Sequence, residues 1–215
     1  MPEPTAPTPT DLRSDSRRNR LRLVAAAREL VAEKGMDVTA AEIAARAEVG
    51  VGTLYRRFIS KEALIRDILA DGIDEVQSAA DSALSEPDAW SGLSTFFTFF
   101  SKIQVDNQGI AEYVSSASGI PSEEMCRYNG RLRERLQELV QRAHRDGSLR
   151  ADVTWEDIVI LSRASVAASE CLGVQALPEQ WRRSCAIILE GMRARGGDPL
   201  PGVPPFDRFT KATPG

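Results

Sequence analysis

The stretch from Thr39 to Leu64, TAAEIAARAEVGVGTLYRRFISKEAL, constrains the chain more than any other. Thr39 followed three residues later by Glu42 is a capping box, in which the threonine oxygen takes an orphan backbone N–H and the glutamate reaches back. Ile43, Ala44 and Ala47 then recur at helical spacing and face inward. A tight turn at about 48–50 separates this helix from a shorter one over 51–58, whose inner side is Val51, Leu54 and Phe58. The outer side of that short helix carries Gly52, Thr53, Tyr55, Arg56 and Arg57, too polar for a core element. Ser60 caps a long fourth helix, with Leu64, Ile65, Ile68, Leu69, Ile73 and Val76 on its buried face.

Helical spacing extends through the rest of the chain. Leu23, Ala27, Leu30 and Val31 form the stripe of a first helix over 18–34, closed by Gly35 at its C′ position. Further helices are predicted near 87–106, 108–118, 121–146, 154–173 and 178–195, with Pro87, Pro121 and Pro178 in first turns. No segment shows sustained period-two alternation of β-branched residues, so the expected class is all-α. Proline and glycine cluster at both ends. The expected organisation is a disordered tail (1–16), a helix-turn-helix head (17–65), a helical body (66–195) and a disordered or extended tail (196–215).

The chemistry of the outer face points to nucleic acid. Hydroxyls and guanidinium groups bond phosphates and base edges, and glycine lets a backbone come close to DNA. Lys61, in the first turn of the fourth helix, lies where free N–H groups already favour a phosphate. The chain has a net charge of −4, yet residues 12–66 hold twelve basic against seven acidic side chains. A basic head on an acidic body suits docking by one end. Taken singly, Tyr55 could be a packing aromatic, and Arg56 and Arg57 a solvated face. Arg17, Arg18, Arg20 and Arg22 read either as an arm to the DNA backbone or as plain surface charge.

Nothing suggests catalysis. Cys126, Cys171, Cys185 and the single histidine, His144, are too scattered for a metal site, so no metal and no cofactor are expected. Gly50 and Gly52 lack the strand and third glycine of a dinucleotide loop. The apolar stretches are too short to span a membrane, and residues 1–19 lack the apolar core of a signal peptide. A cytoplasmic location with no membrane partner is expected.

These residues resemble the tetracycline-repressor (TetR) family of bacterial regulators. The family's first-helix ending Glu-x-Gly is matched at Glu33-Lys34-Gly35, its Ile-Ala-x-x-Ala at Ile43–Ala47, and its Gly-Thr-Leu-Tyr-x-x-Phe-x-x-Lys-x-x-Leu at Gly52–Leu64 without a gap. Two positions depart. The family's turn glycine and the serine opening the recognition helix are Glu48 and Gly50 here, so no side-chain cap or hydroxyl contact is expected at 50. Gly50 could instead supply the positive φ of the turn, with Glu48 pointing away from DNA.

The resemblance implies a repressor that binds a palindromic operator as a homodimer and is released by a small-molecule effector. An activator, or a small-molecule-binding protein with degenerate DNA binding, is the alternative. It implies DNA-facing roles for Thr39, Arg46, Gly50, Val51, Gly52, Thr53, Tyr55, Arg56 and Lys61. The aromatic run around Phe97, with Trp90, Phe100, Ile103, Tyr113, Met125 and Tyr128, reads as the lining of a pocket for an apolar or aromatic effector, or as plain core. For the dimer interface, the last two helices would supply Ala164, Ala168, Leu172, Trp181, Cys185, Ile188 and Leu189. A monomeric core would show a similar pattern. Effector binding is expected to shift the fourth helix, which is shared with the head.

Overall fold

The computed structural model describes residues 9–115, 123–167, 170–195 and 197–204, with side chains at 18–112, 127, 129–167, 172–195 and 197–204. Its helices are α1 (Pro9–Lys34), α2 (Ala40–Arg46), α3 (Val51–Arg57), α4 (Lys61–Ser85), α5 (Ala89–Asp106), α6 (Gln108–Ser115), α7 (Glu123–Arg145), α8 (Trp155–Ala164) and α9 (Gln180–Met192). The all-α class holds. Strands are confined, among the described residues, to a two-residue antiparallel pair, β1 (Glu170–Cys171) with β2 (Val174–Gln175).

That pair corrects the helix expected over 154–173. α8 stops at Ala164, and the chain instead turns through Leu172 (φ 52°) and Gly173 (φ 75°), both left-handed. Two consecutive positive-φ residues are what a two-residue hairpin turn requires. Prolines were also placed one step too far in. Pro87 precedes the N-cap Asp88, whose Oδ1 accepts from the Ser91 N–H at 2.6 Å, and Pro178 precedes the N-cap Glu179. Pro121 lies outside the described residues.

The chain forms two compact units. The first contains residues 1–72 and 107–112, the second 73–106 and 113–215. In the first, Leu23, Ala27, Leu30 and Val31 of α1 are buried with Ile43, Ala44, Leu54 and Phe58, as the spacing predicts. The start of α6 joins this unit through three close approaches. A Cβ on Gly109 would lie 2.2 Å from Val31, and one on Gly72 would lie 2.7 Å from Ile110. A Cβ on Gly35 would lie 2.0 Å from the Glu112 carboxylate, which accepts the Met36 N–H at 2.7 Å. Each approach exists because one partner has no side chain.

In the second unit α5 is the centre. Leu93, Phe96, Phe97 and Phe100 are buried among residues of α4, α7, α8 and α9. Gly92 lets α5 approach the Ala83 carbonyl, where its Cβ would sit at 2.3 Å. Arg142 from α7 closes the end of α4, donating to the carbonyls of Leu84 and Glu86. Residues 197–204 were expected in a disordered or extended tail. They are irregular but tethered: Arg150 donates to the Asp198 carbonyl at 2.8 Å, and Asp152 accepts the Leu200 N–H at 2.8 Å. The Arg150 guanidinium and that N–H hold the Asp152 carboxyl down at about 2.

Gly35 has φ +80°, so replacing it strains the backbone as well as displacing Glu112. Gly35→Ala is expected to cost at least about 1–2 kcal/mol from the left-handed conformation alone. Losing the Met36 bond adds to this. Thermal melts check it: Glu112→Ala should lower Tm by less than Gly35→Ala does.

Candidate nucleic-acid interface

α2 opens with the capping box read from the sequence. Thr39 Oγ1 accepts the Glu42 N–H at 3.2 Å, and Glu42 Oε2 accepts the Thr39 N–H at 2.8 Å. Lys34 adds an ion pair to Glu42 at 2.9 Å. The Thr39 N–H, with Lys34 and the Thr39 hydroxyl, lowers the Glu42 carboxyl to about 2.

The turn between α2 and α3 differs from the expectation in one respect. Gly50 has φ −73°, and the left-handed residue is Glu48, at φ 54°. Glutamate at 48 thus adopts a conformation that glycine takes without steric cost. Glu48 is drawn back by an ion pair with Arg22 on α1. Gly50 is the N-cap of α3 and supplies no side-chain bond, yet the helix forms, with the Thr53 N–H on the Gly50 carbonyl at 2.8 Å.

α3 is anchored by Leu54 and by Phe58 just beyond its end, both buried. Its other side is open. Tyr55 is 55% exposed, Arg56 and Arg57 are exposed, and a Cβ on Gly50 or Gly52 would meet nothing within 4 Å. Val51, expected inside, is itself exposed. Arg56 is steadied by Thr53 Oγ1 at 2.9 Å. Among the described residues no carboxylate pairs with Arg56 or Arg57. Several carboxylates of the unit are engaged elsewhere: Glu29 and Glu33 with Arg46, Glu48 with Arg22, and Asp71 with Arg28.

Arg46, expected to face DNA, is therefore occupied. Its guanidinium donates to Glu29 at 3.1 Å and Glu33 at 3.0 Å, ties α2 to α1, and has its pKa raised by those two acids. Lys61 is half-buried at the start of α4, 3.9 Å from Glu62, and Ser60 caps that helix through the Ala63 N–H at 3.1 Å. Sequence reasoning missed Ile59. It lies between α3 and α4 and is 99% exposed. Its position next to the capping Ser60 was the available signal.

In the second unit Trp90, Phe97 and Phe100 are buried and Ile103 partly so, all in one core; Phe96 and Phe100 stack at 5.6 Å. The side chains of Tyr113, Met125 and Tyr128 lie outside the described residues. Of the residues expected at a dimer interface, Trp181 and Cys185 are corrected by their burial. They are 7% and 2% exposed, inside the unit's own core, because α9 turns them toward α5. Ile188 and Leu189 pack partly against that core, Ala164 and Leu172 are exposed, and Ala168 is not described. α9 instead leaves Ile187 open, 62% exposed, and α8 leaves Ile160 open at 56%.

A short, basic, acid-free helix held outward on α1 and α2, with a separate helical unit following in the chain, defines a helix-turn-helix regulator. Residues 23–68 match the family profile described as bacterial regulatory proteins, tetR family. Residues 88–194 match the transcriptional regulator SbtR-like C-terminal domain. The chain belongs to the TetR family and is a DNA-binding transcriptional regulator, not an enzyme. It is 28% identical over 159 residues to the HTH-type transcriptional repressor KstR2 of Rhodococcus jostii, covering 70% of this chain and 77% of that one. It is 27% identical over 204 residues to KstR2 of Mycolicibacterium smegmatis, covering 85% and 94%. A TetR transcription regulatory protein from Mycobacterium vanbaalenii superimposes with a TM-score of 0.53 at 27% identity, covering 85% of this chain and 99% of that one. Regulators of this family bind operator DNA as homodimers and respond to small-molecule effectors. No helix among the described residues is long and apolar enough to cross a membrane.

Replacing Glu48 by glycine removes a left-handed L-residue, worth about 1 kcal/mol. It also removes one exposed ion pair, worth less. Glu48→Gly is expected to raise Tm and, by freeing Arg22 and deleting a carboxylate beside α3, to tighten DNA binding in fluorescence anisotropy. A lower Tm would refute the strain assignment.

Proposed function

We propose that the chain is a repressor whose homodimer binds a palindromic operator through paired α3 helices and releases it when a small apolar or aromatic effector enters the second unit. The observation that carries the DNA-binding half is the outer face of α3. Among the described residues Arg56 and Arg57 there have no carboxylate partner, and they lie beside two glycines with open space around them. Thr53, Tyr55 and Arg56 are the proposed readers and clamps, with Lys61, Thr39 and the Gly50–Val51–Gly52 backbone toward phosphates; Arg46 braces. A degenerate head is not favoured, since α3 forms without a side-chain cap. The effector half is supported by the aromatic content of α5 and by family membership. Protein of this kind works where the chromosome is, in the cytoplasm.

Affinity for an operator fragment, sought upstream of the protein's own gene, should fall steeply with salt, because each phosphate contact releases a counterion. Tyr55→Phe and Lys61→Ala are expected to weaken binding to all sequences alike. Arg56→Ala should change which sequences are preferred, at about 1–3 kcal/mol per lost base contact. An unchanged preference would remove Arg56 from base reading. A reporter gene behind the operator separates repression from activation by the sign of its response to deletion of the regulator.

The second copy is proposed to dock on the apolar residues left open between α8 and α9, Ile160, Ala164, Leu172 and Ile187, with Ile188 and Leu189 at the margin. Ile160→Glu with Ile187→Glu should give a folded monomer by light scattering and lose operator affinity. Cys185→Ser should lower Tm and leave a dimer.

A further inference from the structure

The core of the second unit is apolar with one exception. Between α5, α8 and α9 runs a buried polar seam: Ser101 and Gln104 on α5, Ser162 on α8 and Ser165 at its C-cap. Ser165 Oγ lies 2.7 Å from the Ser162 carbonyl and 3.2 Å from Ser101 Oγ, and Cys185 Sγ approaches it at 3.4 Å. Ser162 donates to the Val159 carbonyl at 2.8 Å. The serines are thus provided for within the seam. Gln104, only 3% exposed, is provided for on one side alone. Its Nε2 donates to the Phe100 carbonyl at 2.8 Å and lies 3.4 Å from Ser162 Oγ, while its Oε1 is buried without a partner.

Exchanging the amide oxygen and nitrogen would not relieve this, because it would set the oxygen against the Phe100 carbonyl. An acceptor buried without a donor costs more than an ordinary hydrogen bond returns. An apolar residue of similar volume would fill the same space without that cost. Gln104 also continues a face: Leu93, Phe97, Phe100 and Gln104 recur at spacings of four, three and four along α5. The apolar stripe therefore ends in a single unsatisfied acceptor. Among the described residues no charged side chain is fully buried in that core, although Arg133 Nε is buried beside the Trp155 ring; the other buried polar residue of the unit is Gln77.

We propose that Gln104 Oε1 is the polar anchor of the effector site, and that the effector is an uncharged apolar molecule presenting one hydroxyl or N–H donor to it. The inference rests on the proposal that the second unit takes a small molecule, and narrows the class. A carboxylate is disfavoured by repulsion from Oε1. A thioether, ether or pure hydrocarbon leaves the acceptor unpaired. The ligand slides along Phe97 and Phe100 and ends on Gln104, displacing partly buried neighbours such as Ile103 and Leu161 as it enters.

The test uses the full-length protein and three probes with one tail: para-octylphenol, its methyl ether and para-octylbenzoate. Binding is read from the fluorescence of Trp90, Trp155 and Trp181 and from the shift in Tm. Operator release is read separately by anisotropy. The phenol is expected to bind about tenfold or more tighter than the ether, the difference one buried hydrogen bond makes, and the benzoate weakest. In Gln104→Met the preference should vanish, and Tm without ligand should rise because an unsatisfied acceptor is gone. Equal binding of phenol and ether, preference for the benzoate, no binding of any probe, or a preference that survives in Gln104→Met overturns the assignment. So does a fall in Tm of the ligand-free variant, which would mean that an ordered water already satisfies Oε1. A phenol preference with unchanged operator affinity would refute effector release and leave Gln104 standing. Release by phenol and ether alike would do the reverse.

Discussion

The burial of Leu54 and Phe58 is what the DNA-facing half of the molecule depends on. α3 has seven residues, well under the roughly 12–15 that an isolated helix needs to persist in water, and its N-cap glycine brings no side-chain bond. What holds it is two buried apolar side chains, where α3 packs on α1 and α2, each worth about 1.5–3 kcal/mol of burial. Because the anchor sits on one side, the opposite side is committed to solvent or to a partner. The helix has no energetic reason to exist in this form except to present that side.

Charge is distributed by the same logic. Residues 12–66 carry seven acids, enough to cancel most of the local basic excess if they were placed at random. Glu29, Glu33, Glu42 and Glu48 are instead spent on Arg46, Lys34 and Arg22, all contacts among α1, α2 and the turn that follows α2. Such exposed pairs stabilise the fold only slightly. Their larger consequence is that these acids are held away from α3, where Arg56 and Arg57 stay exposed. Arg46 illustrates the cost of judging a basic residue by type alone: its charge serves the scaffold.

The sequence made the helices legible wherever an apolar stripe met a capping signal, as at Thr39–Glu42 and Gly35. It failed where two conformations share one composition. Glycine at 50 and glutamate at 48 suggested a displaced left-handed residue, yet the turn geometry is set by the carbonyls it must satisfy, with Val49 N–H on Ala44 and Glu48 N–H on Ala45. The backbone imposed φ 54° on glutamate and left the glycine ordinary. Trp181 and Cys185 were legible as apolar and helical, but periodicity does not say which of two apolar surfaces is the unit's own core. The polar seam around Gln104 was invisible for a related reason: serines and a glutamine in an apolar helix read as its solvent side.

The division of the chain is not a simple cut between its first and second halves. The units meet along the chain three times, after Gly72, after Asp106 and after Glu112. Two of these crossings fall inside helices, α4 and α6, and only one in a connection. A helix transmits rotation and translation along its axis where a loop would absorb them. The head-side ends are held tightly: Gly72 lies against Ile110, Gly109 against Val31, and Glu112 is bonded to the Met36 N–H. None of these contacts has slack, since each closes to within a missing Cβ. Gly35, Gly72 and Gly109 are therefore what lets the start of α6 belong to the first unit, since a side chain on any of them would push it away.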